Sequence, residues 1–508
     1  MELKLSSFVI PFSLLLMFHL LAKYYKQKTA YKLPPGPMKL PIIGNLHQIA
    51  ALGSLPHRVF QQLAHKYGPI VHLKLGEIST VVITSPKLAK EILKTHDVVF
   101  ANRPHLQSSH IMSYGSKDIA FSPYNDYWKQ MRKICILELL SIKRVQTFAY
   151  IREDETRNFI RSIHSSEGSP VNLTHRIFSL VSSMVSRSAF GDKTEDQEEF
   201  VNVIRKAIES VGGLELADLF PSKKTIINML SGAKSKSEKM HKNSDKIMEI
   251  IVKKHQEKQK RKKEGNVKND EEEHEDLVDV LLRVQEDGSL DVPITASNIK
   301  AVIFDVFAAG TDTTTSTIIW AMSELMKNPS VMKKAQSELR EACKGKEIIS
   351  EIDIQELPYL KLVIKETLRL HSPNPLLIPR ESTELTNIDG YDIPKKTKVM
   401  INVWAMARDP KYWTDAERFI PERFEGNFMD YKGNNFEYLP FGAGRRICPG
   451  LSFGVAGIML PLALLLYHFN WELPNNMKHE DLDMTELYGL AVGRKSELCL
   501  IPTVYYDI

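Results

Sequence analysis

Cysteine is scarce in this chain. Four in 508 residues (Cys135, Cys343, Cys448 and Cys499) lie far apart, and no two form a C-x-x-C pair. That excludes a disulfide-dense scaffold and a structural zinc ribbon, and it fits a reducing compartment. A cysteine that does chemistry here does it alone. An excess of charge of one sign is missing too: 67 basic against 62 acidic residues leave +5, too little to make nucleic acid the default partner. Glycine (25) and proline (26) are too few for a collagenous or mainly disordered chain. No internal repeat is present. Length alone suggests about three domains at roughly 150 residues each.

Long apolar runs are rare as well, and one sits at the N-terminus. Residues 5–22, LSSFVIPFSLLLMFHLLA, contain no Lys, Arg, Asp or Glu, and about 18 residues is the lower edge for a membrane-spanning helix. The rival reading is a cleaved signal peptide. Its cationic flank belongs before the apolar run, whereas Lys23, Lys26, Lys28 and Lys32 follow it, with no A-x-A-like cleavage site in between. The positive-inside rule then places the chain after Lys23 in the cytosol. Pro34-Pro35-Gly36-Pro37 cannot be helical and reads as a stiff spacer. On a cytosolic body the sequon Asn172-Leu173-Thr174 stays unused.

Beyond the spacer, Val71-His72-Leu73-Lys74-Leu75 and Thr80-Val81-Val82-Ile83-Thr84 flank Gly76 and predict an early hairpin. After Pro86 the pattern is mostly helical, with loops at Pro104, Pro123, Pro221 and Pro293. Seven Lys or Arg between Lys253 and Lys263 precede six acids between Asp270 and Asp276, a pattern of solvated helix ends or loops. Residues 294–328 contain no proline and predict one helix of up to about 50 Å at 1.5 Å per residue. Its middle is Ala308-Ala309-Gly310-Thr311-Asp312-Thr313-Thr314-Thr315. Glycine costs about 1 kcal/mol inside a helix and threonine is a poor former, so this break in local consistency points to function. The bland alternative is a threonine face packed by its methyl groups.

The second unusual stretch is Phe441-Gly442-Ala443-Gly444-Arg445-Arg446-Ile447-Cys448-Pro449-Gly450, followed by an apolar helical run at 451–467. The third glycine of a dinucleotide loop is missing. What remains is a lone cysteine at a helix start, where the dipole and free backbone donors are expected to lower its pKa. It suits a nucleophile, a redox cysteine or a metal ligand. No convincing base accompanies it, while glycines, backbone donors and arginines suit a haem-iron thiolate.

At this point the loop resembles that of the cytochrome P-450 monooxygenases, F-x-x-G-x-R-x-C-x-G, matched at Phe441, Gly444, Arg446, Cys448 and Gly450. Ala309, Gly310, Asp312, Thr313 and Thr314 match the family's A/G-G-x-D/E-T-T/S. Glu366-Thr367-Leu368-Arg369 matches E-x-x-R, Phe419-x-Pro421-Glu422-Arg423-Phe424 follows it, and Trp128-x-x-x-Arg132 matches the haem-facing helix. The resemblance implies a mainly α fold with a small β region and haem b between the long central helix and the cysteine-loop helix. It makes Cys448 the axial iron ligand, and Trp128, Arg132, Arg380 and Arg446 a clamp on the propionates, with Phe441, Gly444, Gly450, Ala309 and Gly310 also against the cofactor. Thr313 and Asp312 become a proton relay, and Glu366, Arg369 and Arg423 a structural trio. His371 is read as an ordinary loop histidine. Because these motifs span Trp128 to Cys448, the three-domain prior yields to an anchor (1–32), a hinge (33–37) and a single catalytic domain (38–508).

Thr313 favours a true monooxygenase over hydroperoxide-rearranging relatives. Electrons then come from NADPH through a reductase, with or without cytochrome b5, to a monomer anchored once in the endoplasmic reticulum membrane and facing the cytosol. The stretches at 40–48, 93–97 and 436–441 are most similar to plant microsomal A-type enzymes that oxidise terpenes and terpene-derived alkaloids. By family position the pocket is Ile119, Ala120, Phe304, Ala308, Leu376, Leu377, Ile378, Leu490, Ala491 and Val492, which suits a hydrophobic substrate. Asn374 stands where an apolar residue is common, to serve a turn or to bond a substrate hydroxyl. Hydroxylation of a terpenoid is the leading expectation. Oxidation of an alkaloid, phenolic, coumarin or flavonoid is the alternative, and a haem-binding protein without turnover is the reading from another class.

Overall fold

The computed structural model describes residues 31–191, 203, 205, 215–264, 275–288, 290–346, 348–489 and 491–506. The apolar run at 5–22, the acids at 270–273 and Leu490 lie outside them. The hairpin forms as read: β1 (Ile70–Leu75) pairs antiparallel with β2 (Ile78–Ile83), Val71 opposite Val82. Two later strands, β3 (Arg380–Glu381) and β4 (Lys398–Ile401), complete a four-stranded sheet in the order β1-β2-β4-β3. Residues 34–37 run without helix along its edge, where the His72 N–H donates to the Pro35 carbonyl at 2.8 Å.

Helices make up the rest of the body. Those that build the site and its support are α1 (Asp126–Cys135), α2 (Leu173–Phe190), α3 (Ala233–Lys263), α4 (Leu277–Asp287), α5 (Ala296–Lys327), α6 (Pro358–Leu370) and α7 (Leu451–His468). The proline-free stretch is indeed one helix, α5. A reciprocal cap between Thr295 and Asn298 starts it, and it stops at Asn328 before Pro329. It is apolar on nearly every side because α2 and α7 enclose it. Among the described residues α7 alone has the length and apolarity to cross a membrane, but most of it is buried as core. Asn172 caps α2, accepting from the His175 N–H at 3.1 Å.

The cationic run closes α3 as a solvated helix end, yet one residue within it is buried. His255 donates from Nδ1 to the Ile251 carbonyl at 2.8 Å and from Nε2 to Asp276 Oδ2 at 2.9 Å. Asp276 Oδ1 in turn caps α4 through the N–H groups of Val278 and Asp279. Burial pulls the imidazole pKa down, but its bonds to Asp276 and to the Ile251 carbonyl outweigh burial and raise it above 6.5. A raised pKa stabilises the fold fully below 6.5, and the contribution fades as pH climbs through the folded value. His255→Gln should therefore destabilise by about 2 kcal/mol at pH 6, and the gap to the parent should narrow towards pH 9. Equal gaps in melting temperature at both pH values would contradict this.

Candidate active site

α5 faces the cysteine loop across a cavity. Helical period decides which side chains reach it. Asp305, Ala309, Thr313 and Thr317 recur every four residues and line the wall, beside Val306, Gly310 and Thr314. Phe304 and Ala308 were expected there, but they lie on the opposite face, 7 % and 4 % exposed in the core. Asp312 also lies off the wall, half-buried on the helix flank. Thr313 Oγ donates to the Ala309 carbonyl at 2.7 Å, which leaves its lone pairs to accept from the cavity.

Facing this helix, the cysteine loop is tied at its base by the Cys448 N–H donating to the Phe441 carbonyl at 3.0 Å. Phe441, Arg446, Cys448 and Gly450 line the cavity as expected. Gly444 does not. Its φ is +72°, and a Cβ there would stand 2.0 Å from the Leu93 carbonyl oxygen. Only glycine allows this close backbone approach, so Gly444 seats the loop on its neighbour and is not part of the cavity lining. The neighbouring Arg445 N–H donates to Asp97 at 2.8 Å.

The sulfur also departs from expectation. Burial dominates and raises the Cys448 pKa above that of a free thiol, although the Gly450 N–H and the Arg132 charge work the other way. The helix start tempers the sulfur but does not outweigh its burial. A coordinated metal ion would ionise it outright.

Four buried or half-buried arginines converge on the same cavity: Arg103, Arg132, Arg380 and Arg446. Among the described residues one of them forms a salt bridge, Arg380 with Asp97 at 3.2 Å. The others donate to main-chain carbonyls: Arg132 to Ile447 at 2.6 Å, and Arg446 to Ala101 at 2.8 Å and Ser122 at 2.6 Å. Arg446 also lies over the Trp128 ring at 4.0 Å, and the Trp128 indole N–H donates to Ile119 at 2.9 Å. Burial, then Arg380 and Arg132, pull the Arg446 pKa down to about 9. Such a concentration of positive charge calls for an anion with several acceptor oxygens. A flat macrocycle with two carboxylates and a metal would fit: the arginines would take its carboxylates and Cys448 would hold its metal, with Gly442 and Gly450 also lining the cavity.

Arg103 is the site residue the sequence did not disclose. It bridges two loops, from Nε to Ala120 at 2.8 Å and from Nη1 to Ile378 at 2.6 Å and Pro379 at 2.9 Å. Nothing in its local pattern separates it from a surface arginine, and only tertiary burial does. Asp305 is the second. Its Oδ2 accepts from the N–H groups of Ile119 at 2.9 Å and Ala120 at 3.0 Å, fastening that loop to α5.

Of the expected pocket, Ile119, Ala120, Leu377 and Ile378 line the cavity. Leu376 does not, because the turn that begins at Asn374 directs it into the core beside Val82 and Met400. Ala491 and Val492 are buried behind α5, where the Val492 carbonyl accepts from Ser316 at 3.1 Å and Trp320 at 3.4 Å. His371 is an ordinary residue as read: Nε2 lies 2.7 Å from Glu324 and the ring stacks on Trp320 at 4.0 Å.

Comparison with known proteins bears on this arrangement directly. The family model described as cytochrome P450 matches residues 34–500. The chain is 62 % identical to cytochrome P450 71D8 of Glycine max over 99 % of both chains. It is 54 % identical to premnaspirodiene oxygenase of Hyoscyamus muticus over 98 % of both. A solved zebrafish cytochrome P450 with progesterone shares the fold, with a TM-score of 0.75 at 24 % identity over 89 % of this chain and 100 % of that one.

Proposed function

The chain belongs to the cytochrome P450 family, and on that premise we propose that it is a haem-thiolate monooxygenase that hydroxylates a terpenoid. One observation carries this reading: a cavity with apolar walls that opens on a lone cysteine and a cluster of arginines. The premnaspirodiene oxygenase of Hyoscyamus muticus supports the substrate class.

Cys448 would hold the haem iron, while Arg132, Arg380, Arg446 and Arg103 would hold the propionates, with Trp128 under Arg446. Bound haem supplies a redox-active iron where dioxygen is divided between substrate and water. Apolar walls orient the substrate and exclude bulk water. Thr313, facing the cavity, positions a proton donor there, and Asp312 on the helix flank supplies the proton. Thr313→Ala should consume NADPH at a rate close to the parent while releasing several-fold less product. Unchanged product per NADPH would contradict the relay.

Electrons come from NADPH through a reductase. Lys129, Lys133 and Arg445 are exposed beside the cysteine loop and suit an acidic flavoprotein. Residues 1–32 anchor the chain in the endoplasmic reticulum membrane, 33–37 are the hinge, and 38–508 form the catalytic domain in the cytosol. An apolar surface supports this placement: Met38 and Ile42 are 77 % and 74 % exposed, and Met229 and Leu230 are 77 % and 79 % exposed. The segments that carry both groups meet at the β1–β2 turn, where the Gly76 N–H donates to Ile43 at 3.3 Å and the Glu77 N–H to Leu219 at 2.8 Å. The deciding experiment is microsomes with a reductase, offered terpenes, alkaloids and phenolics. Product from terpenes is expected, and product from the other classes alone would overturn the substrate assignment.

A further inference from the structure

Two polar groups in the cavity are unexplained by haem binding or by oxygen chemistry. Asp305 spends one oxygen on the Ile119 and Ala120 amides. The other makes no hydrogen bond to the described residues, on a side chain that lines the cavity. Asn374 is the other group. Its carbonyl serves the turn, accepting from the Leu377 N–H at 3.0 Å. Its carboxamide is not needed for the turn, has no hydrogen-bond partner among the described residues, and lines the same cavity.

The two lie on walls that are fastened together. Asp305 holds the 119–120 segment, and Arg103 joins Ala120 to Ile378 and Pro379, just beyond the Asn374 turn. Around them stand Ile119, Ala120, Val306, Leu377 and Ile378. A bare hydrocarbon filling this space would strand an unpaired acceptor and an unpaired amide. A ligand with a hydroxyl group would satisfy them. Sites that offer hydrogen bonds discriminate strongly against analogues that cannot make them.

We propose that Asp305 and Asn374 are substrate-recognition residues and that the preferred substrate already carries a hydroxyl group, so that this enzyme acts after an earlier hydroxylation of the same skeleton. The skeleton rests on the terpenoid reading above, and the hydroxyl does not. Asp305 Oδ1 accepts a hydrogen bond from the substrate hydroxyl, and the Asn374 carboxamide N–H donates one to an oxygen.

The test uses the full-length, haem-loaded protein at pH 7.5 and follows the substrate-induced change in its absorption spectrum. The ligands are a sesquiterpene, its alcohol and the corresponding ketone. The parent should bind the alcohol at least tenfold more tightly than the hydrocarbon. Asn374→Leu should weaken the alcohol severalfold and leave the hydrocarbon unchanged. In Asp305→Asn the side-chain carbonyl can still accept from Ile119 and Ala120, which turns the N–H₂ to the cavity, so preference should move from alcohol to ketone. Equal affinity of the parent for alcohol and hydrocarbon would overturn the proposal, and so would a uniform loss for all three ligands in both variants. If Asp305→Asn does not load haem, Asn374→Leu decides. The same three groups on an aromatic skeleton separate the two readings. Hydroxyl preference there, with no response to any terpenoid, removes the terpenoid assignment alone. Turnover of a terpenoid without hydroxyl preference removes this proposal alone.

Discussion

Cys448→Ser should reduce product formation to background while the protein stays folded. Three features described above isolate the sulfur's contribution. The loop is fixed by main-chain bonds that serine leaves intact, Cys448 N–H to Phe441 among them. The arginines that would take the propionates are held by hydrogen bonds to main-chain carbonyls and to Asp97, none of them to the side chain at 448. And burial raises the parent thiol's pKa, whereas a coordinated metal would displace its proton outright. A serine hydroxyl is far harder to ionise and is a harder ligand than a thiolate. The variant should therefore still take up haem, more weakly, and lose the thiolate-type band of the reduced carbon monoxide complex. Retention of that band, or of product, would show that another residue holds the iron. His371 is not available for that role, being committed to Glu324 and Trp320.

Glu366→Ala should have the second large effect, on folding. Glu366 and Arg369 are both fully buried. Their two bonds measure 2.7 and 2.8 Å, and Arg423 adds a third to the same carboxylate at 2.9 Å. Arg369 also donates to the carbonyls of Ala407, Ala416 and Arg418, tying α6 to the chain that leads into the cysteine loop. Removing the carboxylate leaves a buried cation uncompensated, at about 3–5 kcal/mol. Total stability is only about 5–15 kcal/mol. Little soluble haem protein should result. Arg423→Ala should cost less, because its remaining carbonyl partners lie at the surface. A Glu366→Leu, Arg369→Met double variant should be more stable than Glu366→Leu alone. If it is equally unstable, the charges are not what matters at this position.

These residues show how much the sequence disclosed and why it stopped. The three-residue spacing of Glu366 and Arg369 places them on one helical face, so their pairing was legible. So were α5 and the hairpin, where proline-free length or β-branched alternation acts locally. The cavity wall was legible only in part. Phe304 and Ala308 were misplaced because the register of α5 about its axis depends on α2 and α7, which no local pattern encodes. Leu376 failed because one turn residue decides whether it or Leu377 faces inward. Gly444 fits its motif but serves packing, and Arg103 has no motif of its own. The cysteine was found for its setting and then misjudged in its acidity, because burial is a tertiary quantity.

Leu377 is a compromise between backbone strain and the shape of the cavity wall. It has φ +51°, a conformation that costs a branched side chain about 1–2 kcal/mol, and its Cδ1 would lie 3.6 Å from a Cβ placed on Gly442 of the cysteine loop. Replacement by asparagine would relax the backbone and open the wall. Selection for thermal tolerance and selection for product fidelity would therefore pull this position in opposite directions. In a library screened for stability alone, the substitutions recovered at 377 would be those that broaden the range of products.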